Sequence, residues 1–163
     1  MDTVLKAISR RLATVLSWLM AALVGLAFIQ VVLRYVFDTS LFWAEEVILF
    51  LFTWLIFLAA VVNLERGSHF GVDVLVKMLP GRVQTLIQAL VQVAVGLILA
   101  VFAWYGFRFA VGAWIQESDI LRVPKTVVYI SLPLAACLML LVVGRNLGRL
   151  CRGQALQVQA EEL

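Results

Sequence analysis

Four stretches of this sequence carry no charged residue, and they decide what the chain can fold into. They are residues 12–33 (22 residues), 47–64 (18), 83–107 (25) and 126–144 (19). A helix rises 1.5 Å per residue, so these runs reach about 33, 27, 38 and 29 Å. The hydrocarbon core of a bilayer is roughly 30 Å thick, and each run is long enough to cross it. Composition agrees: 64% of the 163 residues are hydrophobic and 14% charged, where a soluble domain has about 45–50% and about 25%. The expected fold class is an all-α integral membrane protein with four transmembrane helices, spanning about 12–35, 44–64, 83–107 and 126–145. Once these spans and their connections are set aside, no stretch remains for a soluble catalytic domain. The chain is expected not to be an enzyme and to need no cofactor.

The excess of basic residues, 13 Lys and Arg against 10 Asp and Glu, could point to nucleic acid. Here the basic residues flank the spans, so orientation explains them and no nucleic-acid partner is expected. Nine lie on one side: Lys6, Arg10, Arg11, Arg66, Lys77, Arg82, Arg145, Arg149 and Arg152. Four lie on the other: Arg34, Arg108, Arg122 and Lys125. The positive-inside rule then places both termini in the cytoplasm. The first apolar run exceeds the 7–15 residues of a signal peptide and runs on without a small-residue cleavage site, so it reads as a retained span. Cys137 and Cys151 are about 21 Å apart along a helix, too far for a disulfide.

The polar residues left near the membrane are few. Glu45 and Glu46 fall at the start of the second helix, where a negative charge offsets the helix dipole. They could equally make a polar contact with a partner at the outer face. Trp43 beside them suits the membrane–water interface. Between the second and third spans, His69, Asp73 and Lys77 recur every four residues in an otherwise apolar segment that ends at Pro80-Gly81. That spacing makes one polar stripe on a short amphipathic helix over 69–79, too short to span and suited to lie along the cytoplasmic interface. Gln84, Gln88 and Gln92 make a second stripe at the start of the third helix; amides facing lipid would leave hydrogen bonds unmet, so this stripe should face protein or water. From Val83 to Ile115 the third helix would reach about 50 Å, so it must tilt, break or project. Gly96 with Ala100 and Gly106 with Ala110 are spaced for close helix packing. Pro133 is expected to kink the fourth helix. The mixed-charge connection 116–125 reads as a solvated loop, and the tail 153–163 as disordered.

Read in order, Arg34-Tyr35-Val36-Phe37, Trp43-Ala44-Glu45-Glu46, Phe52-Thr53-Trp54-Leu55-Ile56-Phe57-Leu58-Ala59-Ala60, Glu65-Arg66-Gly67-Ser68-His69-Phe70-Gly71-Val72-Asp73, Val123-Pro124, Tyr129 and Leu132-Pro133-Leu134 carry a resemblance. This order resembles the small membrane subunit of tripartite ATP-independent periplasmic (TRAP) transporters over about residues 12–145. Ala59-Ala60 stands where a Gly-Ala pair is expected, and Val47 and Leu49 stand where polar or basic residues are frequent.

The resemblance implies four spans plus an interfacial helix in the bacterial inner membrane. It also implies a large membrane subunit that carries the substrate and ion sites, and a periplasmic substrate-binding protein that delivers an organic acid. Uptake would then be driven by an ion gradient, with this chain as scaffold and anchor in the phospholipid bilayer. Partner-contact residues on that reading are Trp43, Glu45, Glu46, Trp54, Gln84, Gln88 and Gln92, with Glu45 and Glu46 either touching the large subunit or bracing the helices that do. The charge-free spans fit a scaffold, because a carrier needs polar or ionisable groups near the midplane. Two rivals are a small homo-oligomeric exporter using Glu45 and Glu46, and an electron-transfer anchor. With one histidine, bis-histidine haem ligation within the chain is impossible.

Overall fold

A computed structural model describes residues 2–65 and 81–151 of the chain. The expected interfacial helix 69–79, with His69, Asp73 and Lys77, lies outside the described residues, as does the tail 153–163. The described residues form five α-helices and one 3-10 turn: α1 (Asp2–Val36), α2 (Phe42–Glu65), α3 (Gly81–Gly112), the 3-10 turn (Ala113–Ile115), α4 (Thr126–Tyr129) and α5 (Ser131–Cys151). Four helical segments are long and apolar enough to cross a membrane: Arg10–Val36, Phe42–Glu65, Val83–Ile115 and Thr126–Leu150. The fourth joins α4 to α5.

The helices pack as a row. α1 lies on α2, α2 on α5, and α5 on α3, which makes the most extensive pair. α1 turns Leu12, Leu16, Leu19, Leu23, Leu26, Gln30 and Leu33 inward, alternating four and three residues apart. That spacing keeps one narrow seam on a neighbouring helix. Its other faces leave Trp18, Phe28 and Tyr35 exposed, which costs little where the surroundings are lipid. α1 stops at Asp38, whose φ of 53° lets the Thr39 N–H donate to the Leu33 carbonyl at 3.1 Å. This is the left-handed closure that satisfies a helix's last carbonyls.

The α3–α5 contact depends on small residues. A Cβ added at Gly106 would stand 3.3 Å from side-chain atoms of Leu132 and Pro133, and one at Gly96 3.4 Å from Val143. Ala110 is buried on the same face, whereas Ala100 is exposed. Leu99, Ala136 and Val143 form the centre of this core, with Leu64, Val95, Ala103, Met139, Leu140 and Leu147 packed round it.

The α-helix of the fourth span is interrupted at Ile130, three residues before Pro133, so the proline stands in the first turn of α5. There its missing N–H costs nothing, and its ring disfavours a continuous helix through the preceding turn. α3 does not break: it runs on to Gly112 and tightens into the 3-10 turn. We call the end of the molecule carrying 37–41 and 116–125 the loop end.

Candidate functional site

The connection 116–125 is folded, where a merely solvated loop was expected. The Ser118 N–H donates to the Val123 carbonyl at 2.9 Å and the Lys125 N–H to the Gln116 carbonyl at 2.8 Å. Glu117 and Pro124 form an isolated antiparallel bridge. Arg122 turns the chain at φ 55°, and its guanidinium pairs with Glu117 at 3.8 Å on the exposed side.

The loop seats on α2 through Glu46. The Leu121 N–H donates to Glu46 Oε2 at 2.8 Å. Ser118, Asp119 and Ile120 also turn polar groups toward this carboxylate. Successive backbone N–H groups in such a turn form a concave anion seat, and here the anion is supplied by the chain itself. Buried Ser118 joins both halves, its hydroxyl also accepting the Val123 N–H at 3.2 Å. Glu46 therefore braces the loop end from inside. Its neighbour Glu45 is exposed in the first turn of α2, and Trp43 is about half exposed.

Two turns further along α2, the half-buried Trp54 indole N–H donates to the Val127 carbonyl at 3.0 Å. The interruption between α4 and α5 leaves this carbonyl available. Beside it the Thr126 hydroxyl donates to the Ala110 carbonyl at 2.8 Å in a buried position, which ties α4 to α3. Phe109 and Tyr129 stack at a tilt with centroids 4.8 Å apart.

At the opposite end, Arg145 Nη1 donates to Glu65 Oε1 at 3.3 Å, with side chains 7% and 10% exposed. Arg145 also reaches Asn146 Oδ1 at 3.5 Å. The glutamine stripe starts near this end. Gln92 is 5% exposed, and the α3–α5 register puts it level with buried Asn146; Gln84 and Gln88 are half-buried. The carbonyl oxygens of Gln88 and Gln92 and the Nε of Arg145 are buried without a partner. The stripe's innermost member thus faces the chain's own helices.

Sequence reasoning missed the Glu65–Arg145 pair and the role of Ser118. The carboxylates of Glu46 and Glu65 are each taken by donors of this chain. Among the described residues, no three His, Cys, Asp or Glu side chains come together as a metal-binding group. The arrangement positions helices and leaves broad apolar faces outside.

The family model described as tripartite ATP-independent periplasmic transporters, DctQ component, matches residues 23–153. A C4-dicarboxylate TRAP transporter small permease protein from Vibrio cholerae is 34% identical over 111 residues, covering 64% of this chain and 47% of the relative. A C4-dicarboxylate TRAP transporter small permease protein from Rhodobacter capsulatus is 28% identical over 102 residues, covering 61% of this chain and 45% of the relative. A sialic acid TRAP transporter permease protein from Haemophilus influenzae is 25% identical over 122 residues, covering 75% of this chain and 20% of the relative. The matched stretch therefore spans less than half the length of these relatives.

Proposed function

The chain belongs to the DctQ component family of tripartite ATP-independent periplasmic transporters, and from that premise we propose that it is the scaffold and anchor for a large transport subunit. It is a multi-pass protein of the inner membrane, and its relatives are transporter permease proteins. The observation that carries the proposal is the family match across 23–153. The architecture supports it: Glu46, Trp54, Thr126 and the Glu65–Arg145 pair are spent on bracing this chain's own elements, and among the described residues the spans hold no cluster of carboxylates suited to coupling an ion to an anion. On this reading the large subunit binds substrate and ion, a periplasmic binding protein delivers an organic acid, and an ion gradient drives uptake. Both termini lie in the cytoplasm, and Trp43 and Glu45 belong to the outer-side contact. Glu46 serves that contact indirectly by holding 116–125 in place.

The test is a mild-detergent pull-down of the tagged chain from its native host, with mass spectrometry of what is retained. We expect a much larger multi-span membrane protein in equal amount. Recovery of this chain alone as a defined homo-oligomer would overturn the scaffold reading in favour of the small exporter.

A further inference from the structure

Most outward faces of the row carry nothing that lipid cannot accommodate. The exception is on α3. Arg108 lies nine residues beyond Leu99, about two and a half helical turns. It therefore stands on the opposite side of α3 from Leu99, Gly106 and Ala110, the residues turned toward the rest of the chain. It is exposed. Arg108 belongs to neither ion pair, and makes no hydrogen bond or ring contact with the described residues. Its surroundings on that face are Leu97, Val101, Trp104 and Ile115, with exposures of 65, 52, 65 and 90%. An ionised side chain inside a span normally faces a protein interior or pairs with another group. Arg108 does neither within this chain.

Snorkelling to the headgroups is the ordinary escape for an arginine. Here the geometry opposes it. The helix continues for seven residues, through Gly112 and the 3-10 turn to Ile115, which sets Arg108 about 10 Å below the loop end. Side chains on a helix lean toward its N-terminus. For α3 that direction is away from the loop end and deeper into the apolar layer. An anionic group at the depth of Arg108 itself satisfies the guanidinium better than one at the surface. The other edge of the row has no such demand, since α1 carries no charge between Leu12 and Leu33.

We infer that the outward face of α3, centred on Arg108, is the docking surface for a transmembrane helix of the large subunit that presents an aspartate or glutamate at this depth. Charge complementarity selects this occupant: an apolar helix face with one uncompensated cation calls for an apolar helix with one carboxylate, paired bidentately and shielded from lipid on assembly. The inference rests on the scaffold reading above and names the face and the residue that would serve it.

The full chain is co-expressed with the large membrane subunit found in the pull-down, and complex yield is measured in mild detergent. A photo-crosslinking residue is placed at Val101 on the α3 face or at Phe28 on α1. We expect Val101 to give an adduct with the large subunit and Phe28 to give lipid adducts. Arg108→Glu should lower complex yield at least tenfold while the variant alone stays folded, and Arg108→Lys should retain most of it. Exchanging to arginine the acidic residue on the crosslinked helix should rescue Arg108→Glu. If the wild-type complex forms but Phe28 carries the protein adduct, or Val101 gives lipid adducts only and Arg108→Glu is silent, the docking face is wrong and the scaffold reading stands. If the wild-type chain retains no larger subunit, both fall together. The Val101 crosslink, made with Arg108 intact, decides the matter even if Arg108→Glu fails to fold.

Discussion

Glu65 and Arg145 sit eighty positions apart in sequence and meet where α2 ends and α5 is nearly complete. Removing one partner strands the other charge in a site from which water is largely excluded, and such a loss costs about 3 kcal/mol or more. Replacing both by apolar side chains removes the desolvation cost together with the attraction, and is often neutral. Arg145→Met should therefore lower the thermal midpoint in mild detergent well below wild type. Glu65→Met with Arg145→Met should restore most of the loss; a double variant as damaged as the single one would show that the charges contribute by something other than pairing. Such a pair was invisible in the sequence for a physical reason. Counting Lys and Arg by side uses each charge as a topology marker, and Arg145 served that purpose equally well paired or unpaired. Glu46 was legible as a helix-start carboxylate with two possible uses. Its engagement by Leu121 required knowing that 116–125 folds back over α2, which no local pattern encodes.

The helices themselves were legible because length without charge is a strong signal, and α3's excess length was read from the same arithmetic. Their neighbours were not. A helix that is apolar all round has no polar face to point away from the core, so the row α1–α2–α5–α3 follows from side-chain shape. The closest fit is at Gly106, where an added Cβ would stand 3.3 Å from Leu132 and Pro133 and these side chains would have to give by a few tenths of an ångström. Gly112, near the end of the same helix, has open space round it. Gly106→Leu should force α3 and α5 apart and destabilise the fold by about 1–3 kcal/mol. Gly112→Ala should be neutral or stabilise by up to about 1 kcal/mol, since alanine is the better helix former. Thermal unfolding of both variants in the same detergent checks this contrast; equal effects would mean that Gly106 tolerates volume and that the contact is loose. A kink in the fourth span was expected from Pro133; what the structure has is an interruption of the α-helix at Ile130. A proline disturbs the turn before it, and the helix restarts with the ring in its first turn.

At the scale of the whole molecule, a row of helices has two ends and two broad flanks, and the bilayer must fit all of them in one orientation. The described charges sort cleanly. Arg34, Asp38, Glu45, Glu46, Glu117, Asp119, Arg122 and Lys125 gather toward the loop end, with Arg108 a few turns inside it, and Arg10, Arg11, Glu65, Arg145 and Arg149 lie toward the other. Acidic residues divide evenly over the full sequence, five to each side, while Lys and Arg divide nine to four. Only the basic bias can orient the chain, because positive residues close to the spans resist translocation and acidic ones contribute little. On the proposed reading that bias would set the loop end in the periplasm, where a binding protein would meet it. Cysteine accessibility in intact cells reads the orientation directly, once Cys137 and Cys151 are replaced by alanine. Ser40→Cys and Asp119→Cys should react with a membrane-impermeant maleimide added outside, whereas Arg149→Cys should react only after the membrane is opened. The reverse pattern would place the loop end in the cytoplasm. It would also remove any role for Trp43, Glu45 and the braced 116–125 loop in meeting a periplasmic partner.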